Sequence, residues 1–197
     1  GMYVVLALAT FITAFCLCWF FAVPPDVMEA DKPKAAKTEE PKPAVIPFPE
    51  TLGSVAQGTF VPMNDIPDPT FSQGVLGICC GVEPEIGKVY APMDGTIIQL
   101  ADTLHAIGIE AGGVELLIHV GVDTVDMKGD GFKSHIKEGQ TVKKGDLLLT
   151  IDLDKIKAAG HPATIMTAVT NSDDLASVEA TASGQLKPGD PIMRLKA

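Results

Sequence analysis

Basic side chains are scarce in this sequence, which has 15 Lys and Arg residues against 25 Asp and Glu residues and a formal net charge of −10. Proteins that bind DNA or RNA contact phosphates mainly through lysine and arginine, so this balance disfavours a nucleic-acid partner. An acidic surface fits partners that present basic surfaces, and it equally fits a domain that is simply soluble.

Spacings typical of metal sites and disulfides are also missing. Cys16 and Cys18 lie in an apolar run, and Cys79 and Cys80 are adjacent, so no cysteine pair has the spacing of a zinc site. Neighbouring cysteines rarely form a disulfide with each other. The sequence therefore predicts reduced thiols, as is usual for a cytosolic domain.

Charge is absent from residues 2–23, which as a helix would extend about 33 Å at about 1.5 Å per residue, enough to cross a bilayer. No Lys or Arg precedes this run, and no small-x-small cleavage site precedes Pro24 and Pro25. These absences favour a transmembrane helix, within residues 1–23, over a cleaved secretory signal.

Residues 24–50 have scattered prolines, mixed charges and few side chains to bury, which predicts a linker. Lysines follow the apolar run closely and favour a cytoplasmic position for residues 51–197; they are Lys32, Lys34, Lys37 and Lys42. We expect a cytoplasmic domain anchored to the inner (cell) membrane.

Long stretches with helical periodicity are missing beyond residue 50. The sequence instead has short apolar stretches between glycine and proline turns, such as KVYAPMDGTIIQL, GVELLIHVGV and DLLLTIDL. Closely spaced short strands predict an all-β fold for residues 51–197, an antiparallel β-sandwich or barrel-sandwich with short helical turns. Only residues 152–159 have the pattern of a short helix. The turns at 143–146 and 187–190, each before an apolar strand, form a weak internal repeat.

One histidine lies on a strand opposite a core face. In the run GVELLIHVGVDT, at residues 113–124, strand alternation places Val114, Leu116 and Ile118 on one face. His119 lies on the other face beside Leu117 and Gly121, which leaves space next to its imidazole. Such an imidazole can act as a base, bind a metal or attack phosphorus, and the pattern alone does not choose among these roles.

A second histidine, His105, lies upstream at the start of another predicted strand. A turn at residues 111–113 could bring it to His119, and the Thr103 hydroxyl could fix its tautomer. Ile107 and Ile109 share the strand parity of His105 and have the pattern of core residues. The chain must therefore bend at the start of this strand if the two imidazoles are to meet.

The run HAIGIEAGGVELLIHVGVDTVDMKGDGF, residues 105–132, resembles the active-site signature of glucose-family IIA domains of the bacterial phosphoenolpyruvate-dependent sugar phosphotransferase system. The resemblance extends over residues 57–197, through IPDPTFSQGVLGICCGVEP and YAPMDGTI. It implies a β-sandwich in which His119 is phosphorylated, His105 bonds a phosphoryl oxygen and Thr103 orients His105. Phosphoryl transfer needs in-line positioning and donors for the spread charge rather than covalent help from the protein.

Two further residues are expected at the rim of this site. The carbonyl of Gly121 could hold one nitrogen of His119 and leave the other free to attack. Asp123 is expected only at the rim, because an acceptor-only carboxylate would repel phosphate at close range.

The resemblance also implies partners. In the family, the donor is the phosphohistidine of the small protein HPr, and the acceptor is a cysteine of a IIB domain. The expected phosphotransferase activity therefore requires two proteins to dock around one histidine. The residues that match the family's docking region are Leu117, Phe71, Ile66 and Val75, although Ile66 and Val75 equally fit ordinary packing.

The apolar run and linker match the expectation that this is the C-terminal part of a glucoside-type permease, in which IIB, IIC and IIA share one chain. A tether would raise the effective concentration of the IIA domain near its acceptor. The sequence has no IIB cysteine motif and no multi-span IIC, so we expect it not to transport sugar alone, and the choice of sugar belongs to the missing IIC.

Two other functions remain open. A non-catalytic module could dock on transporters or enzymes and be switched by the charge of phosphorylated His119. A zinc site is less favoured, because a catalytic zinc normally has three protein ligands and the sequence offers no third ligand beside the two histidines. We therefore expect no cofactor and no metal, apart from a zinc bridged between His105, His119 and a partner's carboxylate.

Overall fold

The structure is a computed structural model, and it describes residues 46–197. The predicted transmembrane helix at residues 1–23 and most of the predicted linker at residues 24–50 lie outside the described residues. Within residues 46–197, no helix is both long enough and apolar enough to cross a membrane. At the end of the linker segment, Ile46 and Phe48 are half-buried and pack against the core.

The all-β prediction is confirmed for the described residues, in which every pair of neighbouring strands is antiparallel. The strands are β1 (Thr51–Gly53), β2 (Gly58–Val61), β3 (Ile78–Pro84), β4 (Lys88–Tyr90), β5 (Gly95–Leu100), β6 (Ala106–Ala111), β7 (Val114–Val120), β8 (Phe132–Ser134), β9 (Thr141–Val142), β10 (Leu147–Ile151), β11 (Ile165–Val169), β12 (Ser177–Ala180), β13 (Gln185–Leu186) and β14 (Pro191–Lys196).

These strands form one eight-stranded sheet, in the order β13-β2-β3-β11-β7-β6-β5-β9, and two three-stranded sheets, β1-β14-β12 and β4-β10-β8. The order is nearly symmetric about the central β11–β7 pair. The outer strands repeat as well. β13 and β9 are the two edge strands of the large sheet, and the strands that follow them, β14 and β10, are the central strands of the two three-stranded sheets.

The weak internal repeat in the sequence corresponds to this symmetry. In the turn before β10, the backbone N–H of Lys143 donates to the carboxylate of Asp146 at 2.9 Å. In the turn before β14, Lys187 donates to Asp190 in the same way at 2.8 Å. A short polar side chain that accepts a backbone N–H stabilises such turns. The turns before β10 and β14 are therefore stabilised by the same hydrogen bond.

Helical segments are short. The helices are α1 (Pro69–Ser72) and α2 (Leu153–Ala158), and the 3₁₀ turns are Met63–Asp65, Thr124–Met127 and Ser172–Asp174. The predicted helix at residues 152–159 is confirmed as α2, with Asp152 at its N-cap accepting the backbone N–H of Lys155. Asp68 caps α1 by accepting from the N–H of Thr70 at 2.7 Å.

The main core lies between the sheets, and a second, smaller apolar cluster covers part of the outer face of the large sheet. This outer cluster contains Ile66, Phe71, Cys79, Val122, Met166 and Ala168. Cys79 faces the outer cluster, whereas Cys80 faces the main core. Both thiols are buried and free, as predicted, and burial raises the pKa of Cys79 to about 11 and that of Cys80 further. The thiols are therefore protonated and unreactive at neutral pH.

Candidate functional site

The site is built on β7, whose alternation places one set of apolar side chains in the main core and places Leu117 and His119 on the outer face. His119 lies opposite Ala106 of β6 and Met166 of β11. The small side chain of Ala106 leaves the imidazole half-buried rather than covered. His119 is thus held by a central strand and still reachable from one side.

His105 meets His119 because the chain bends immediately before β6. The bend lies at Leu104, a non-glycine residue in the left-handed region with a φ of 60°. Its N–H donates to the carbonyl of Ala101 at 2.7 Å and closes the turn. The ring centroids of His105 and His119 are 5.1 Å apart, and the rings are nearly perpendicular, at 79°. The sequence required a bend here, and the structure provides it.

Thr103 contacts the ring of His105. Its Oγ1 lies 2.5 Å from Nδ1 of His105, within hydrogen-bond distance. When the hydroxyl donates to Nδ1, the single proton of the neutral imidazole is on Nε2. The Nε2–H of His105 is then available as a hydrogen-bond donor.

The tautomer of His119 follows from its own hydrogen bond. Nδ1 lies 2.9 Å from the carbonyl oxygen of Gly121, and a carbonyl can only accept, so Nδ1 carries the proton. Nε2 of the neutral ring therefore has a free lone pair. Gly121 has a φ of 77°, and a Cβ there would collide with Cγ2 of Thr124 and approach the carbonyl oxygen of Pro162. Only glycine fits this position without strain.

Burial favours the neutral form of both imidazoles. Desolvation lowers the pKa of His119 below its ordinary value, and the neighbouring His105 acts in the same direction. The hydrogen bond to Gly121 raises the pKa of His119, as do the carboxylates of Asp68 and Asp123, but less than burial lowers it. Burial also lowers the pKa of His105. At neutral pH, both rings are therefore predominantly uncharged, as a nitrogen nucleophile requires.

The four residues that match the family's docking region differ widely in exposure. Val75 is 69% exposed, and Leu117 is half-buried beside His119. Ile66 and Phe71 are buried in the outer cluster, and the Phe71 ring packs on His119 with a centroid distance of 5.3 Å. Ile66 and Phe71 therefore support the site from below, whereas Val75 and Leu117 offer apolar surface to another molecule.

Several residues of this region are absent from the sequence-based candidates. Asp68 acts on the pKa of His119 from the N-cap of α1, and the Asp-Pro pair of this helix start was a readable signal. Thr124, in the Asp-Thr pair after Gly121, is fully buried against the same loop. Val125 and Ile98 are large exposed apolar side chains, and no local pattern distinguishes them from core residues of their strands and turns.

Two imidazoles supply two ligands toward a metal. Among the described residues, no group of three or more His, Cys, Asp or Glu side chains is placed to hold an ion. A zinc ion here would need a further ligand from another molecule. The arrangement instead offers one nucleophilic nitrogen and one adjacent N–H donor, which suits transfer of an anionic group bearing several oxygens.

Comparison with known proteins agrees with a site for phosphoryl transfer. Residues 50–175 match the family described as "phosphoenolpyruvate-dependent sugar phosphotransferase system, EIIA 1". The chain is 42% identical over 158 residues to the glucose-specific EIIA component of the PTS system of Halalkalibacterium halodurans, an alignment that covers 80% of this chain and 89% of that relative.

A longer relative is the beta-glucoside-specific EIIBCA component of the PTS system of Dickeya chrysanthemi, 40% identical over 193 residues. That alignment covers 95% of this chain but only 30% of the length of the relative. Among solved structures, glucose permease IIA from Mycoplasma capricolum superposes with a TM-score of 0.67 and 30% identity. The superposition covers 73% of this chain and 93% of that chain.

Proposed function

This chain belongs to the EIIA 1 family of the phosphoenolpyruvate-dependent sugar phosphotransferase system, and we propose that it carries a phosphoryl group on His119 during sugar uptake. It is a phosphotransferase component. The phosphoryl group comes from the phosphohistidine of HPr and passes to a cysteine of a IIB domain. The observation that carries this assignment is the 2.9 Å hydrogen bond from Nδ1 of His119 to the Gly121 carbonyl, which leaves Nε2 unprotonated.

In the accepting step, the Nε2 lone pair of His119 forms a new N–P bond as the N–P bond of the donor imidazole breaks. The bonding electrons return to the donor nitrogen, which ends as a neutral imidazole when its other nitrogen carries a proton. The positive charge then lies on the His119 ring, whose Nδ1–H faces the Gly121 carbonyl. Asp68 and Asp123, which favour the charged ring, stabilise this product.

His105 stabilises the charge on the transferring group. With Thr103 donating to its Nδ1, the Nε2–H of His105 donates to a phosphoryl oxygen beside His119. Such a donor acts on the negative charge spread over the equatorial oxygens and fixes the phosphorus in line with the attacking nitrogen. A neutral His105 also holds the phosphoryl oxygens less tightly than a charged ring would, so the phosphoryl group can leave for the next acceptor.

Docking of both partners involves the apolar surface around His119. We infer that Val75 and Leu117 contribute to it and that Val125, which is exposed in the Thr124–Met127 turn, extends it. The buried Phe71 holds this surface in shape by packing on the imidazole. A small apolar patch suits partners that must bind and leave in turn.

The proposal extends to residues 1–23, for which the sequence predicts a membrane helix. The Dickeya relative is named an EIIBCA component, and the likeness to it covers 95% of this chain and so extends beyond the IIA domain. We infer that the IIA domain is held at the cytoplasmic side of the cell membrane, where tethering raises its concentration near IIB. Recovery of the full chain in the membrane fraction, resistant to alkaline carbonate, tests this arrangement; release by carbonate would contradict it.

The phosphocarrier function is tested by incubating the 197-residue chain with phosphoenolpyruvate, enzyme I and HPr and measuring acid-labile phosphate. We expect labelling of the wild type and of His105→Gln, no labelling of His119→Gln, and no onward transfer to a IIB domain from His105→Gln. His135→Gln is the matched control, because the imidazole of His135 is exposed and bonds only Thr150 among its described partners. An unlabelled wild type would contradict the proposal and favour a non-catalytic docking module.

A further inference from the structure

Thr124 is fully buried at the loop that holds His119, and its side chain makes two contacts there. Its Oγ1 donates to the backbone carbonyl of Val120 at 2.5 Å. Its Cγ2 methyl lies so close to Gly121 that a Cβ at Gly121 would collide with it. One small side chain thus holds two consecutive residues of the loop, one by a hydrogen bond and the other by packing.

Val120 and Gly121 are the residues on which the geometry of both histidines depends. The N–H of Val120 donates to the backbone carbonyl of His105 at 2.8 Å, and the N–H of Gly121 donates to the carbonyl of Thr164 at 3.0 Å. The Gly121 carbonyl then accepts from His119. The Thr124 hydroxyl completes this set by donating to the carbonyl of Val120, the last residue of β7.

We propose that Thr124 is a positioning residue that holds the Gly121 carbonyl on Nδ1 of His119 and so keeps the proton off the reactive Nε2. The proposal rests on the phosphocarrier function of His119, but the tautomer it concerns is a property of the unphosphorylated protein. Thr124 does not touch the transferring group. It acts by anchoring the Val120 carbonyl and packing on Gly121. A shift of this backbone would carry the Gly121 carbonyl, which belongs to the next peptide, away from the imidazole and leave the ring free to change tautomer.

The chain offers a matched control on the strand next to β7. Thr167 of β11 is also buried, but its hydroxyl has no hydrogen-bond partner among the described residues. It pairs with Ile118 and faces the core rather than the site. Replacing Thr by Val removes a hydroxyl and keeps the shape at either position, so a difference between the two variants reports the bond from Thr124 to Val120.

The test is ¹⁵N NMR of the 197-residue chain in detergent micelles, labelled at its 4 histidines and left unphosphorylated. Ring nitrogen shifts distinguish protonated from unprotonated nitrogens. We expect a single His119 tautomer with the proton on Nδ1 in the wild type, in Thr167→Val and in Thr124→Ser, which keeps the hydroxyl. Thr124→Val should show both tautomers and a further lowered pKa of His119, because the Gly121 carbonyl no longer favours the charged ring.

The rate of phosphoryl acceptance from HPr gives a second readout. It should fall about tenfold in Thr124→Val, the lower end of the usual effect of removing an orienting partner, and should recover in Thr124→Ser. If Thr124→Val does not fold, Thr124→Ala takes its place with the same expectations. A folded Val or Ala variant with the wild-type tautomer, or a Ser variant without it, overturns the role of Thr124. A wild type that is not phosphorylated but keeps the single tautomer overturns the phosphocarrier function instead.

Discussion

The imidazoles of His105 and His119 lie edge to face with their centroids 5.1 Å apart. His119 lies on β7, whereas His105 immediately precedes β6. Both rings are kept neutral by burial and each is oriented through its own Nδ1, His105 by Thr103 and His119 by Gly121. The unprotonated nitrogen of one ring can thus act beside the N–H donor of the other. The following predictions depend on this pair and on the loop that holds it.

Gly121→Ala should abolish phosphoryl acceptance and destabilise the fold. A left-handed backbone costs an L-residue about 1–2 kcal/mol, and here the added Cβ also collides with Thr124. Gly139→Ala is the control, because Gly139 has the same φ of 77° with nothing within 4 Å of the added Cβ. Urea unfolding should show a larger loss for Gly121→Ala; equal losses would mean that the collision relaxes without cost.

Thr103→Val should leave labelling of His119 intact but slow onward transfer to IIB by about tenfold, because His105 loses the partner that sets its tautomer. Thr103→Ser keeps the hydroxyl and should transfer at nearly the wild-type rate. Stopped-flow or quenched transfer from the labelled variants measures this. Equal transfer by the Val and Ser variants would show that the hydroxyl does not orient His105.

Thr167→Val should stabilise the protein, because its buried hydroxyl has no hydrogen-bond partner within residues 46–197 and such a group costs about 1–3 kcal/mol. Thr164→Val is the opposite case, since the buried Thr164 donates its hydroxyl to Glu83 at 2.7 Å, and it should lose about 1 kcal/mol. Urea midpoints of the two variants, compared at constant m-value, decide the matter. A less stable Thr167→Val would point to a partner for this hydroxyl.

The pKa of His119 should lie below its ordinary value of 6.5 in the folded protein, because burial disfavours the charged ring. Below pH 6.5, the unfolded state therefore binds more protons at this residue than the folded state does. The stability that neutral His119 contributes is fully present above pH 6.5 and is lost as the pH falls toward the lower pKa of the folded state. NMR titration of the labelled histidines measures this pKa; a value at or above 6.5 would contradict the effect of burial.

Asp68→Asn should lower the pKa of His119 further, since the Asp68 carboxylate favours the charged ring. Asp94→Asn removes the same charge from a carboxylate that accepts from the Lys144 N–H and is not among the acids that act on His119. NMR titration of the labelled histidines measures both. An unchanged titration in Asp68→Asn, or an equal shift in both variants, would contradict a local effect of Asp68.

Val75→Ser should weaken docking of HPr without changing stability, because its side chain is 69% exposed. We expect a higher KM for HPr, by about threefold to tenfold for the loss of one apolar contact, with kcat almost unchanged. Ile86→Ser is the control, because Ile86 is exposed in the turn between β3 and β4. If both variants raise KM equally, Val75 is not part of the docking surface.

Much of the fold could be predicted from local patterns. Short apolar stretches between glycine and proline turns identified most strands and α2, and the paired turns ending at Asp146 and Asp190 reflected the real symmetry of the sheet. Parity could not show that Ile66 and Phe71 lie in a second cluster on the outer face. That cluster forms only when α1 folds over the large sheet, a contact between segments far apart in sequence.

The sequence by itself determined the all-β class and the outward position of His119, because alternation along a strand has a period of two residues and depends only on neighbouring residues. Only the tertiary structure decided that His105 meets His119 and that Thr124 supports Gly121. Both depend on left-handed backbone, at Leu104 and at Gly121, and for Leu104 local preference opposes it. The packing of Leu104 against the main core supports that conformation through contacts between segments that are distant in sequence.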